Sequence, residues 1–153
     1  KVSDYNTFSC MIPADIRSFH KSHVTDHYFY NEEKKEHYLI ELKSGGDLDN
    51  KKAKTEKLAL LQEYFILKNS LIDKPDEKIK LFFGTAYNMY GEGAEWKQER
   101  VKQFFADEEL LIGKDYWNFV CDDEDGFKII FDQYKQSAAY IKEALERIKA
   151  LYF

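Results

Sequence analysis

Two short runs of aromatic and β-branched residues, separated by a polar stretch, predict a β-hairpin early in the chain. The runs cover residues 23–30 and 38–43, and residues 31–36 between them are polar. Aromatic and β-branched residues favour strands, and a short polar connection between two such runs favours antiparallel pairing. The hairpin is the strongest local prediction that the pattern makes.

The register of this hairpin decides which side chains share a face of the sheet. If Tyr30 pairs with His37, Asp26 lies directly across from Glu41, with Cβ atoms roughly 5 Å apart. Lys43 then lies two residues beyond Glu41 on the same face, because side chains alternate along a strand. Two carboxylates and a lysine on one face predict a Mg²⁺ site, and this chemistry favours phosphodiester hydrolysis.

After the hairpin, the apolar spacing changes from strand to helix and back to strand. A Gly45-Gly46 turn precedes a predicted helix from about residue 51 to residue 69, and residues 78–86 form a compact apolar strand. A strand, helix and strand of this length form a crossover unit, so the last strand should lie parallel to the second hairpin strand.

The C-terminal part of the chain predicts helices packed around this sheet. Residues 96–105 indicate a short helix, residues 110–120 an apolar segment packed against the core, and residues 127–151 a long amphipathic helix. The apolar face of the long helix is either an interface or part of the core. The predicted fold class is α/β, with a mixed sheet flanked by helices that combines an antiparallel hairpin and a parallel crossover strand.

Length and charge modify this picture in two ways. At 153 residues and 44% hydrophobic, the chain is long enough for one domain with its own core. Its net charge of −5 has the wrong sign for nucleic-acid binding by bulk electrostatics. Seven lysines nevertheless form a basic stretch beside the predicted site, or an ordinary solvated helix start: Lys34, Lys35, Lys43, Lys51, Lys52, Lys54 and Lys57.

Cysteine usage and hydropathy bear on the compartment. Cys10 and Cys121 have no metal or redox spacing, which favours a reduced, cytoplasmic protein. The sequence shows neither a secretory signal nor an apolar run long enough to span a membrane. Because the chain opens on Lys1 rather than Met, we expect a fragment of a longer chain or a processed form.

An acidic residue, a strand-borne Glu-x-Lys and a following helix together resemble the PD-(D/E)xK nuclease superfamily. Asp26 matches the first acid, and Glu41-Leu42-Lys43 matches the second motif. The string at residues 38–53 is similar to type II restriction endonucleases typified by TdeIII, and residues 111–119 resemble a Gly…Trp segment found late in several restriction enzymes. The resemblance covers roughly residues 20–120, and its Glu-x-Lys string carries most of it.

The resemblance implies a site that binds one or two Mg²⁺ ions. Asp26 and Glu41 would each give one oxygen, and the Leu42 carbonyl could complete the share of the protein. Lys43, held near two carboxylates, would stay protonated and either orient the attacking water or stabilise the charge that develops on phosphorus. The simplest alternative is a cross-strand charge cluster on a solvated face.

Several neighbouring residues have two interpretations each. Asp15 competes with Asp26 as the first acid, although it needs a strand that the sequence does not indicate. Gln62 is either a supporting residue behind the metal site or a solvent-facing helix residue, and Asp47 and Asp49 are either metal ligands or helix-capping residues. Three histidines without a fourth ligand disfavour a zinc site: His20, His23 and His27. Three aromatic residues are DNA contacts or ordinary core and surface positions: Tyr87, Tyr90 and Trp96.

Taken together, the motif and its resemblance predict a Mg²⁺-dependent type II restriction endonuclease that cuts double-stranded DNA at a short site. The TdeIII-like string implies a short GC-rich palindrome, and a palindrome favours a homodimer. The possible DNA contacts are Lys51, Lys52 and Lys54. The alternatives are a repair or recombination nuclease of the same fold, and a non-catalytic DNA-binding or interaction domain.

Overall fold

The hairpin, the crossover unit and the long C-terminal helix are all present in the computed structural model, which describes Tyr5 and residues 24–152. The elements of residues 24–152 are, in chain order, β1 (His27–Asn31), β2 (Glu36–Lys43), α1 (Asn50–Ser70), β3 (Lys78–Thr85), α2 (Glu99–Lys102), a 3₁₀ turn (Asp107–Glu109), β4 (Leu110–Ile112), α3 (Lys114–Cys121) and α4 (Gly126–Tyr152).

The four strands form one mixed sheet in the order β1-β2-β3-β4. β1 and β2 pair antiparallel with Tyr30 opposite His37, so the predicted register is confirmed. β3 runs parallel to β2, as expected for a crossover, and β4 runs parallel to β3. β4 was not predicted as a strand, because only three residues pair there and so short a run carries no alternation to detect.

Helix α1 covers one face of the sheet. It begins where the side chain of Asp49 accepts a hydrogen bond from the Lys52 backbone N–H at 2.8 Å, an N-cap that satisfies a free donor of the first turn. Leu60 and Tyr64 of this helix are fully buried in the same apolar cluster as Phe83 of β3. Burying side chains of this size contributes about 1.5–3 kcal/mol each.

Helix α3 covers the opposite face. The ring of Phe119 lies 5.0 Å from that of Tyr38 and 5.3 Å from that of Phe82, measured between centroids. Tyr116, one turn earlier, is almost fully buried. The odd-numbered residues of β2 therefore face α1 and the even-numbered ones face α3, so that Glu41 and Lys43 lie on the α1 side.

Two predicted helices differ from the structure in informative ways. The helix expected at residues 96–105 is reduced to the single turn of α2, because residues 96–98 run as irregular chain that buries Trp96. The helix expected at residues 127–151 is present as α4, but its apolar face is not core. Beyond its first turns, its large apolar side chains are at least half exposed, so the core alternative was wrong.

Candidate active site

The hairpin brings Asp26 to the strand that carries the Glu-x-Lys motif. β1 begins at His27 rather than at residue 23 as predicted, so Asp26 lies one residue before the ladder starts. The Asp26 side chain replaces a backbone hydrogen bond between the two strands, because Asp26 Oδ2 accepts a hydrogen bond from the Leu42 backbone N–H at 3.0 Å. The exposed Asp26 carboxylate is thereby fixed beside the end of β2, next to Glu41.

Glu41 is the buried acid of this group, with 7% of its surface exposed. Burial raises the pKa of Glu41 to about 7, although its ion pair with the Lys43 ammonium opposes the shift. The negative charges of Asp26 and Glu56 push the pKa upward as well. Glu41 is therefore a carboxylate whose negative charge is under-compensated, and additional positive charge at this position would stabilise it.

Lys43 bridges two carboxylates on the same face. Its ammonium pairs with Glu41 and lies 3.4 Å from Glu56 Oε1 of α1. Burial alone would lower the pKa of Lys43, but the contacts with Glu41 and Glu56 outweigh it and raise the pKa above its ordinary value. Lys43 is thus held as an ammonium ion at the carboxyl end of β2.

Glu56 is the site residue that the sequence analysis missed. It lies between Ala53 and Leu60 on the stripe of α1 that faces the sheet, and both neighbours are fully buried. An acidic residue at a sheet-facing helix position was the available signal. Gln62, for which the sequence left both a supporting role behind the metal site and a solvent-facing position open, is exposed.

A glycine turn joins the motif to α1 and packs against two aromatic residues. Gly46 has a φ of +74°, and a Cβ there would lie 2.8 Å from Cζ2 of Trp96, so a side chain is excluded on both counts. A Cβ at Gly45 would lie 2.8 Å from the hydroxyl oxygen of Tyr87. Trp96 is therefore a buried support of the turn, whereas Tyr87 and Tyr90 are exposed near it.

The predicted basic stretch does not form one surface, because its first two lysines lie in the hairpin turn, at the opposite end of β2 from Glu41. Lys51, Lys52 and Lys54 are exposed on the first turns of α1, where that helix follows the glycine turn. Lys57 is not part of this surface, because it is buried and forms an ion pair with Glu109 of the 3₁₀ turn. That lysine was misassigned, since helical spacing alone does not reveal a distant acidic partner.

The donor set of the site fits a hard divalent cation. Within Tyr5 and residues 24–152, no three His, Cys, Asp or Glu side chains are grouped as a ready metal site. Asp26 and Glu41 supply two carboxylates, which is the share that proteins commonly give to Mg²⁺ when water and substrate phosphate supply the rest. Asp49 is engaged as the N-cap of α1 and Asp47 is exposed.

The remaining predicted candidates do not lie beside Glu41 in the described part of the chain. Asp15, His20 and His23 lie outside the described residues, so the structure does not test them. His27 packs its ring 6.1 Å from that of Tyr116, on the α3 side of the sheet and away from Glu41.

The chain matches the protein-family model described as "Type II restriction endonuclease, HinfI" over residues 2–138. Comparison with curated proteins found no match, and comparison with solved structures found none either. In the part of the chain that the structure describes, no helix combines the length and apolar character needed to cross a membrane.

Proposed function

The chain belongs to the HinfI family of type II restriction endonucleases, and from that premise we propose that Asp26, Glu41 and Lys43 are its catalytic centre. The family identifies the protein as a site-specific deoxyribonuclease, so its substrate is double-stranded DNA. The observation that carries the assignment to this site is the buried Glu41, which lies beside Asp26 and Lys43 at one end of the sheet.

The proposed metal ligands are the carboxylates of Asp26 and Glu41 and the backbone carbonyl of Leu42, and the proposed metal is Mg²⁺. When bound, a divalent cation supplies charge to the scissile phosphate and activates the attacking water. Asp26 is oriented for such a role by the Leu42 N–H, and Glu41 carries a charge that burial leaves under-compensated. The site therefore gains more from a cation than two solvated carboxylates would.

Lys43 would act as a fixed positive charge rather than as a general base. Its pKa is raised by Glu41 and Glu56, so it carries a positive charge at neutral pH. A fixed ammonium at this position can stabilise negative charge that develops on the phosphoryl oxygens, or orient the water that attacks. Glu56 would hold that ammonium in place and is therefore a proposed positioning residue.

We place this core in the PD-(D/E)xK superfamily as a proposal, since an acid opposite a Glu-x-Lys strand is its arrangement. The similarity of residues 38–53 to TdeIII-like enzymes is likewise a proposal, whereas the matching family model is that of HinfI. A single domain, a short palindromic site and a homodimer complete the proposed description.

The test of the proposed function is cleavage of a long mixed-sequence duplex by the full-length protein. We expect discrete fragments with Mg²⁺ and none when EDTA replaces it. A smear of products would overturn the site specificity, and undiminished cutting in EDTA would overturn the metal-dependent mechanism. Absence of cleavage with both Mg²⁺ and Mn²⁺, from folded protein that still binds DNA, would overturn the catalytic assignment.

Replacing Glu56 by Gln should slow cleavage without unfolding the protein. The variant removes the charge that lies 3.4 Å from the Lys43 ammonium, and removal of such a supporting partner typically costs about 10–100-fold in activity. The measurement is the single-turnover cleavage rate at saturating Mg²⁺. Asp73→Asn, an exposed acid after the end of α1, is the matched control and should cut at the wild-type rate. Equal rates for both variants would remove Glu56 from the site.

The three exposed lysines of α1 should contribute to DNA affinity rather than to the chemical step. Removing one lysine from a DNA phosphate reduces the slope of log K against log salt by about 0.9, so Lys51→Ala, Lys52→Ala and Lys54→Ala combined should flatten it by up to about 3. Equilibrium binding to a duplex in Ca²⁺ at several salt concentrations measures the slope. The control combines Lys34→Ala and Lys78→Ala at the other end of the sheet, and an equal loss in the control would contradict the prediction.

A further inference from the structure

Helix α4 has two unlike halves. Its first turns lie against α3. There Phe127, Phe131 and Tyr134 line a groove together with Trp117 of α3 and Tyr87. From residue 138 onward the helix leaves the domain, and every described side chain on it is exposed. A helix that projects from a domain normally presents polar residues all round, since nothing offsets the cost of exposed apolar surface.

The projecting half instead carries an apolar seam with coiled-coil spacing. Its members recur at alternating intervals of three and four residues, as the a and d positions of a heptad do: Ala138, Ile141, Leu145, Ile148 and Tyr152. Ile141, Leu145 and Ile148 are 62%, 61% and 51% exposed. The same spacing continues backward through Tyr134, Phe131 and Phe127, so one seam runs along the whole helix.

The charges beside the seam follow the same heptad. Each e position, which follows a d position directly, is an exposed lysine: Lys128, Lys135, Lys142 and Lys149. Each g position, which precedes an a position directly, is uncharged: Ile130, Ser137, Ala144 and Leu151. The residues at e and g flank the seam and select the partner and its orientation in a coiled coil.

We propose that residues 137–152 of α4 pair in parallel with the same segment of a second copy of this chain. In a parallel pair each e lysine faces an uncharged g residue, and its aliphatic stem can cover that residue while the ammonium stays in water. In an antiparallel pair of this segment e faces e, which sets Lys142 of each copy against Lys149 of the other. The charge pattern therefore fits a parallel second copy.

A parallel pair has a consequence for the enzyme. The two-fold axis then runs along the paired helices, so both domains project their sheets in equivalent directions about that axis. A dimer of this symmetry can present its two sites to the two strands of one palindromic duplex. The inference extends the homodimer of the proposed function, yet it rests on α4 alone and does not depend on the chemistry of Glu41.

Cysteine cross-linking of the full-length protein tests both the pairing and its direction. In a background carrying Cys10→Ser and Cys121→Ser, Leu145→Cys should form a disulfide-linked dimer on oxidation, because parallel a positions face each other. Glu143→Cys, on the outer face of the same helix, is the matched control and should remain monomeric on a non-reducing gel. An equal yield from both variants would mean random collision and overturn the proposal.

Mixing experiments and sedimentation provide the remaining outcomes. Cross-linking only between Leu145→Cys and Ile148→Cys chains would show antiparallel pairing of this segment, in which an a position faces a d position, and would overturn the parallel arrangement. By sedimentation, the wild type should be dimeric and Ile141→Lys monomeric, with unchanged circular dichroism because Ile141 is exposed. The proposal would be overturned if the wild type were monomeric at every concentration and the Leu145→Cys variant did not cross-link. The assignment of DNA cleavage would be unaffected, because the cleavage assay tests it separately.

Discussion

Glu41→Gln is expected to reduce DNA cleavage by at least about a thousandfold, since removing a single preorganised charge-stabilising group already costs about 10²–10³ in rate. The substitution keeps the shape of the side chain and removes only the negative charge. That charge is the proposed metal ligand and the partner of the Lys43 ammonium. The measurement is single-turnover cleavage with Mg²⁺ in excess over enzyme.

The same variant should keep its stability, which separates a functional from a structural role. Burial already raises the pKa of Glu41 to about 7, so the fold disfavours the charged form and loses little when a neutral amide replaces it. We therefore expect the melting temperature of Glu41→Gln at neutral pH to equal or exceed that of the wild type.

Glu36 provides a matched control at the opposite end of the same strand. Hydrogen bonds from Tyr38 and Lys80 hold the pKa of Glu36 below its ordinary value, so its charged form stabilises the fold. Glu36→Gln should lower the melting temperature and leave the cleavage rate unchanged, which is the reverse of Glu41→Gln. If both variants lost activity in proportion to their stability, Glu41 would be a structural residue and the proposed site would be wrong.

The sequence was sufficient for the part of the site that one hairpin builds. Pairing Tyr30 with His37 places Asp26 opposite Glu41 by counting alone, and the two-residue period of a strand adds Lys43. None of this requires knowledge of distant contacts. The structure therefore confirms the local part of the prediction, which is the pairing of residues 27–31 with residues 36–40.

The helix residues could not be predicted in the same way. Glu56 and Lys57 are neighbours in a polar stretch, yet one reaches Lys43 and the other is buried beneath the helix. Which of the two side chains is buried depends on the rotation of α1 about its axis, and the partner of Lys57, Glu109, lies 52 residues further along the chain. Likewise, the spacing of α4 is the same for a core helix and a coiled coil, so only its exposure separates the two.

Breaking the buried Lys57–Glu109 pair should produce a large loss of stability. Lys57 and Glu109 are only 4% and 3% exposed, and the ammonium lies 5.0 Å from the centroid of the Phe105 ring. Glu109 Oε2 also accepts a hydrogen bond from the Ala106 backbone N–H at 2.7 Å, which fixes the carboxylate in place. Lys57→Met would leave that buried carboxylate without its cation.

We expect Lys57→Met to lower the free energy of unfolding by about 3–5 kcal/mol, the usual cost of removing one partner of a buried ion pair. Urea unfolding followed by circular dichroism measures the loss. Lys54→Met changes an exposed lysine of the same helix and should stay within about 0.5 kcal/mol of the wild type. Comparable losses in the two variants would contradict the prediction, since helix propensity rather than the pair would then be responsible.

The double variant Lys57→Met with Glu109→Leu tests whether the loss of stability comes from the unpaired carboxylate. Two apolar side chains of similar volume leave no buried ion, and such replacements are often neutral or stabilising. We therefore expect the double variant to recover most of the stability that Lys57→Met loses. An additive loss would instead mean that the alkyl chain of Lys57 and its aromatic contacts, rather than the charge, hold α1 against the sheet.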